Sequence, residues 1–276
     1  MSRLFEALQR SESERTGAPF SWPHLTSQPT LVVAEPEDAL NQCQSVTVTP
    51  AEDSKLVGLT EKDGLGAEKF RFLAVRLRQL RQARNLKKVL ITSSMAEEGK
   101  SLISANLAIA FAHRHVEKIL LIEGDLRRPT LLKQFGLPET PGICEQLQSG
   151  GAALSRVLHL ANCGFWLLPA GQAPENPIEL MQSERLSGLM DELAAVFDWI
   201  VIDSPPMLPL ADTSVWARVA DGMLLVVNEG KTKADQLKAG LEAMNPKNLL
   251  GVVLNNCTAV DRNNYYQRYY SPSSKT

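Results

Sequence analysis

Six short runs along the chain are apolar without alternation: Val89 to Ile91, Lys118 to Ile122 (KILLI), Phe165 to Leu168 (FWLL), Trp199 to Ile202 (WIVI), Met223 to Val227 (MLLVV) and Leu249 to Leu254 (LLGVVL). Strands with no polar face need cover on both sides. Between the runs, apolar residues recur at helical spacing in Ser101 to Arg114, Asn176 to Phe197 and Lys233 to Met244. Strands alternating with helices predict an α/β fold, a mostly parallel sheet covered by helices on both faces, with right-handed crossovers. Residues Thr130 to about Leu160 read as helical pattern with loops.

Upstream, Ala67 to Lys88 predicts one helix with Phe70, Leu73, Leu77 and Leu80 as its buried stripe. Its other face carries Lys69, Arg71, Arg76, Arg78, Arg81, Arg84, Lys87 and Lys88 against the single acid Glu68. That face is open to three readings: a solvated surface, a subunit contact, or attraction to anionic lipid heads. From Gly17 to Gly66 the chain is polar, acidic and punctuated by prolines, which is linker chemistry. Residues 1–16 place Leu4, Phe5 and Leu8 on one side of a short helix, a frayed tail or a docking peptide. The predicted division is therefore residues 1–66 as short helix plus disordered linker, 67–256 as the folded domain, and 257–276 as a flexible tail.

Composition narrows the function classes. At 276 residues and a formal net charge of −2, the chain has no global basic field to argue for nucleic acid. The four cysteines (Cys43, Cys144, Cys163, Cys257) are scattered and form no CxxC pair, as reduced cytoplasmic thiols would be. No apolar run approaches the roughly 18 residues that cross a bilayer, and no signal-peptide core opens the chain. Any membrane role is expected to come through a partner or a surface.

The chemistry gathers in Val89 to Leu107, VLITSSMAEEGKSLISANL. A buried strand breaks into a polar loop that ends in Gly99-Lys100-Ser101 at the head of a helix. That layout is a nucleotide phosphate site: loop and helix N–H groups face the phosphates, Lys100 supplies charge and Ser101 can ligate Mg²⁺. Met95, Ala96, Glu97, Glu98, Gly99, Lys100, Ser101 and Leu102 are the residues expected around the nucleotide. Ser94 stands where GxxxxGK[ST] has its first Gly. Phosphoryl transfer also needs metal-holding carboxylates. Asp203 follows the strand WIVI directly, and Asp125 follows KILLI two residues after Glu123. Both strands should end on the same sheet edge as the loop, where ligands bind in such folds.

ITSSMAEEGKSLISANLAIAFA, LLIEGDLRRPTL and WIVIDSPPML resemble the Walker A, Walker A′ and Walker B segments of the bacterial tyrosine kinases. FGLPETPGICEQL and LLPAGQAPENPIELMQSERL resemble that family's intervening segments, so the likeness spans roughly Glu68 to Asn256. The resemblance implies a P-loop NTPase fold of the ParA/MinD-like branch and an ATP- and Mg²⁺-dependent protein-tyrosine kinase of the capsule and exopolysaccharide machinery. It implies that Lys100 and Ser101 hold the β/γ-phosphates and Mg²⁺, that Asp125 and Asp203 are the metal carboxylates, and that Asn255 faces the adenine. It also implies a homo-oligomer, a separate transmembrane co-polymerase acting as activator, a cognate phosphotyrosine phosphatase, and a cytoplasmic protein held at the inner membrane through its partner. The chain departs from the family pattern in four ways. Ala96-Glu97-Glu98 replaces Pro-Gly-Glu; Glu123 replaces the first Asp of the A′ segment, the suspected base; Ala74 replaces the last Arg of a Glu-x-x-Arg-x-x-Arg assembly motif begun by Glu68 and Arg71; and no transmembrane activator is joined in the same chain. A one-methylene shift of a reacting group, on the order of 1 Å, can cost about 10²-fold in rate.

All four tyrosines, Tyr265, Tyr266, Tyr269 and Tyr270, lie in one octet of the tail. Tyrosine ordinarily serves a core or an interface. Confinement to a polar terminus points to the hydroxyls as the kinase's own substrates, each phosphate adding about −1.5 to −2 charges. Two other readings compete. A ParA/MinD-type positioning ATPase would carry a signature lysine where Met95 stands; a non-catalytic nucleotide-binding switch would fit Glu97 and Glu123.

Overall fold

The computed structural model describes residues 36–257 apart from 52, 115, 209–210 and 243–245. Residues 1–38 and 39–276 form separate units; of the first, only the opening of helix α1 (Pro36–Asn41) is described. The short helix expected in residues 1–16 and the tyrosines of the tail lie outside the described residues.

The second unit is built on a sheet of β1 (Gln44–Val46), β2 (Lys88–Ser93), β3 (Ile119–Glu123), β4 (Leu158–Leu160), β5 (Phe165–Leu168), β6 (Trp199–Asp203), β7 (Gly222–Asn228) and β8 (Leu249–Asn255). Across the sheet the order is β1-β4-β5-β3-β6-β2-β7-β8. The six strands foreseen from their apolar runs are parallel to one another. At one edge β4 runs antiparallel to β5, and β1 lies parallel to β4.

Successive strand residues point to opposite faces, so each central strand feeds two cores. Ile91, Leu121, Val201 and Val226 pack under α3 (Leu65–Ala83) and α4 (Lys100–Ala112). Leu90, Leu120, Ile200 and Leu225 pack with residues of α6 (Ile143–Ser149), α7 (Pro177–Met181), α8 (Glu184–Val196) and α9 (Asp212–Val219). Helix α4 is buried almost all round, because α3 packs along its outer side; a helix apolar on every face is stable only in such a place. Of α3's predicted stripe, Leu77 is buried and Phe70, Leu73 and Leu80 pack half-buried, with Ala67 and Ala74 fully covered between them. Its basic face is partly tied down. Arg78 donates to Glu117 at 2.6 and 2.8 Å and to the Phe111 carbonyl at 3.0 Å, Arg81 reaches Glu117 at 3.7 Å, and Arg71 pairs with Glu68.

Two expectations fail here. Residues 39–66 are not linker: they hold β1 and α2 (Val57–Thr60) and put Val48 and Leu56 into the core. Asn106 of α4 pins this strap, donating to the Lys55 carbonyl at 3.0 Å and accepting from the Gly58 N–H at 3.4 Å. A few apolar side chains with dedicated seats outweigh a polar, proline-rich composition. Likewise the stretch read as helix and loops ends in strand β4, three residues and too short to show a period. Among the described residues no helix is long and apolar enough to cross a membrane.

Candidate active site

The phosphate loop leaves β2 through buried Thr92 and Ser93 and turns twice into the left-handed region, at Glu97 (φ 65°) and Gly99 (φ 93°), before α4 opens at Lys100. Glycine suits the second turn for two reasons. It adopts positive φ without a clash from a Cβ, and a Cβ there would collide with the Asn255 side-chain amide. Ser94, at the position of the missing first Gly, is fully buried.

The two expected carboxylates arrive from neighbouring strands. After β3 the chain folds tightly over β6: the Gly124 N–H donates to the Asp203 carbonyl at 2.7 Å, and Trp216 Nε1 donates to the Gly124 carbonyl at 3.0 Å. A Cβ at 124 would meet the Trp216 ring at 2.8 Å, so glycine is what lets Asp125 approach the loop. Lys100 Nζ lies 3.0 Å from Asp125 Oδ2, and Asp125 Oδ1 accepts from the Arg128 N–H at 3.2 Å. Asp203 sits beneath them, fully buried. Its Oδ1 is 3.2 Å from Ser104 Oγ, whose single proton also has the Lys100 carbonyl within 2.9 Å. Among the described residues its Oδ2 has no hydrogen-bond partner. Burial pushes the Asp203 carboxyl up to about 7, against the pull of Lys100's charge and of the nearby Ser101 side chain.

Lys100 and Asp125 border a cavity of about 630 Å³; Asp203, buried beneath them, is not one of its lining residues. Of the residues named from the sequence, Met95, Ala96, Glu97, Gly99, Lys100, Ser101, Leu102 and Asp125 line it, joined by Arg127, Arg128, Thr130, Gln134, Pro206 and Leu208. Arg127 is gripped by buried Asp212 at 2.7 and 3.3 Å, a two-point pairing across 85 residues that leaves no local mark in the sequence. Glu98 does not line the cavity. It is buried behind the loop, with Oε2 accepting from the Met95 N–H at 3.1 Å and Oε1 bonded to Thr232 Oγ1. Asn255, expected at the adenine, is not a lining residue either; its Nδ2 donates to the Glu98 carbonyl at 2.9 Å.

Glu123, expected to be catalytic, goes elsewhere. Its Oε1 accepts from the N–H groups of Thr130 and Leu131, the latter at 2.5 Å, at the head of α5 (Leu131–Gln134), and its Oε2 accepts from the Ala170 N–H at 3.3 Å. Burial raises its pKa while these three donors oppose the rise. It lines a second cavity of about 1040 Å³, with Lys133, Glu139 and Glu145 among the other walls, and not the one at the phosphate loop.

The donor set fits a hard cation held jointly with phosphates. Among the described residues no three His, Cys, Asp or Glu side chains are placed to hold a metal by themselves. A cation at the unpaired Asp203 oxygen would complete its shell with Ser101, phosphate oxygens and water, as magnesium does.

No family model matches the chain. It is 35% identical over 202 residues to the tyrosine-protein kinase YwqD of Bacillus subtilis, covering 72% of this chain and 85% of the relative. The crystal structure of the chimerical protein CapA2B2 superposes with a TM-score of 0.70 at 28% identity, covering 82% of this chain and all of that one. The septum site-determining protein MinD of Pyrococcus horikoshii, solved with Mg-ADP, shares the fold at a TM-score of 0.53 and 20% identity, covering 66% of this chain and 76% of that one. With 35% identity to a tyrosine-protein kinase along most of both chains, and a phosphate loop beside two acids on adjacent strand ends, the chain belongs to the bacterial tyrosine-kinase family.

Proposed function

We propose that this chain is an ATP-dependent protein-tyrosine autokinase that phosphorylates Tyr265, Tyr266, Tyr269 and Tyr270 in a neighbouring copy's tail, and so regulates exopolysaccharide or capsule polymerisation and export. One observation carries the reading: Lys100 and Asp125 face each other at 3.0 Å over a buried Asp203, one of whose oxygens is unpaired among the described residues. Magnesium, bound with the triphosphate, would neutralise charge on the transferred phosphoryl group. Ser101, Asp125 and Asp203 are the residues that would hold it. Lys100 moves its charge from Asp125 to the β/γ-phosphate oxygens, the loop N–H groups cradle them, and Arg127, fixed by Asp212, presents a rigid cation at the cavity wall. Catalysis here is positioning and electrostatics, because phosphoryl transfer leaves the protein little covalent work.

The acceptor's proton has no partner in Glu123 as that residue is held; of the two carboxylates of the A′ segment, only Asp125 lines the cavity. A homo-oligomer brings one copy's tail to another's site. A separate transmembrane activator holds the protein at the inner membrane, and a phosphotyrosine phosphatase resets it. The three backbone bonds on Glu123 favour one second reading, a nucleotide-binding switch in the same machinery without phosphotransfer.

Incubating the full chain with Mg²⁺–ATP and the cytoplasmic segments of candidate activators, while following ADP and phosphotyrosine together, separates these readings. The kinase gives both products, loses phosphotyrosine on Lys100→Met, and loses it again when the four tail tyrosines become Phe while ATP still binds. ADP without phosphotyrosine would indicate a positioning ATPase, and ATP binding with neither product the switch.

A further inference from the structure

The back of the phosphate loop is gripped by residues far away in sequence. Asn255 ends β8 opposite Asn228 of β7. Its Nδ2 donates to the Glu98 carbonyl at 2.9 Å, while its Oδ1 accepts from the Asn256 N–H at 2.9 Å. From the loop after β7, Thr232 accepts from the Asn228 N–H at 3.0 Å and donates its own proton to the Glu98 carboxylate. That carboxylate also accepts from the Met95 N–H at the start of the loop. Glu98 is thus a buried acid held by one side chain, one backbone amide and, through its carbonyl, a third group.

A peptide is planar and trans, so its carbonyl and the next N–H point in opposite directions. With the Glu98 carbonyl held back by Asn255, the Gly99 N–H is directed to the other side, where Gly99 borders the nucleotide cavity. A flip of this peptide would turn a carbonyl dipole onto the phosphates. Glycine at 99, at φ 93°, makes such a flip sterically open unless something prevents it.

We propose that Asn255 and Thr232 are positioning residues for phosphoryl transfer: together they hold Glu98 behind the loop and keep the Gly99 N–H aimed at the nucleotide's β/γ-phosphates. The proposal rests on the nucleotide-binding reading above and replaces the expected adenine contact of Asn255 with a role exerted through the loop backbone. It also accounts for the glycine at 99, whose Cβ would collide with the Asn255 amide.

The test is the affinity of the full chain for Mg²⁺-bound ATP, GTP, AMP and inorganic tripolyphosphate, the last measured by competition. Wild-type protein that fails to bind Mg²⁺–ATP defeats the kinase reading itself, before any variant is compared. With binding established, Asn255→Ala is expected to weaken ATP and tripolyphosphate alike by about five- to tenfold, the scale of one lost hydrogen bond. AMP should change less than about twofold, and the ATP-to-GTP ratio should hold. Thr232→Val should reproduce the pattern at smaller amplitude, and Thr232→Ser should restore wild-type affinity. Loss confined to adenine nucleotides with tripolyphosphate unchanged would restore the base contact and overturn the proposal. Equal loss for AMP, or no loss at all, would overturn it too. Should Asn255→Ala fail to fold, the Thr232→Val and Thr232→Ser pair decides by the same ligand series.

Discussion

Glu123 and Asp125 leave the end of one strand two residues apart, yet they serve different surroundings. Asp125 faces the nucleotide cavity and is paired to Lys100, a side chain that can change partners. Glu123 borders the neighbouring cavity and takes three backbone N–H groups, which cannot. A carboxylate held by a lysine is available to chemistry, since phosphate oxygens can take its place. One held by the backbone of a helix start and of the segment after β5 is part of the scaffold. Sequence position alone would rank the two as equals.

The largest expected effect lies on the nucleotide side. Asp203→Asn should reduce Mg²⁺-dependent phosphotyrosine formation on the order of 100-fold or more, the scale seen when one preorganised charge partner is removed. It should also raise thermal stability in a pH-dependent way. The Asp203 carboxyl titrates near 7 in the fold against 3.8 ordinarily, so its contribution to stability is fully present below about pH 4 and lost as pH rises through about 7. The variant should therefore unfold at a higher temperature than wild type at about pH 8 and match it at about pH 4; a constant difference across that range would remove the buried-charge explanation.

Next comes Glu123→Gln, which trades an acceptor for an amide donor facing backbone N–H groups. It should cost about 1–3 kcal/mol in denaturant unfolding while ATP affinity stays within about twofold. A hundredfold fall in phosphotyrosine with unchanged stability would instead place Glu123 among the reacting groups and erase the contrast with Asp125. The smallest effect is expected from Glu97→Gly. Relief of a non-glycine residue at φ 65° should add about 1 kcal/mol to stability. Removal of an exposed acid beside the phosphates should also tighten ATP by about two- to threefold, read by calorimetry.

The parts of this structure that were legible beforehand are those written in local pattern. Ile119 to Ile122 and Trp199 to Ile202 are apolar on both faces, Asp203 closes its strand, Asp125 stands two residues past the end of β3, and Lys100 opens a helix behind a glycine. What stayed hidden depends on distant partners. Strand β4 is three residues with half-buried His159 in the middle, and among the described residues β1 pairs with it alone. Whether Glu123 or Glu98 faces a ligand is decided by the N–H groups of Thr130, Leu131 and Ala170 in one case and by Thr232 in the other, residues with no sequence mark of that duty.

The strap that Asn106 pins over α4 bears on where this protein can be cut. Starting the chain at residue 67, where regular helical periodicity first becomes visible, would strip Leu56 from its seat and leave the Asn106 amide without two of its contacts. The newly bared apolar groove would lie against the very helix whose first residue is Lys100. A shortened protein of that kind would be prone to self-association, and weak activity in it would say little about the intact phosphate site.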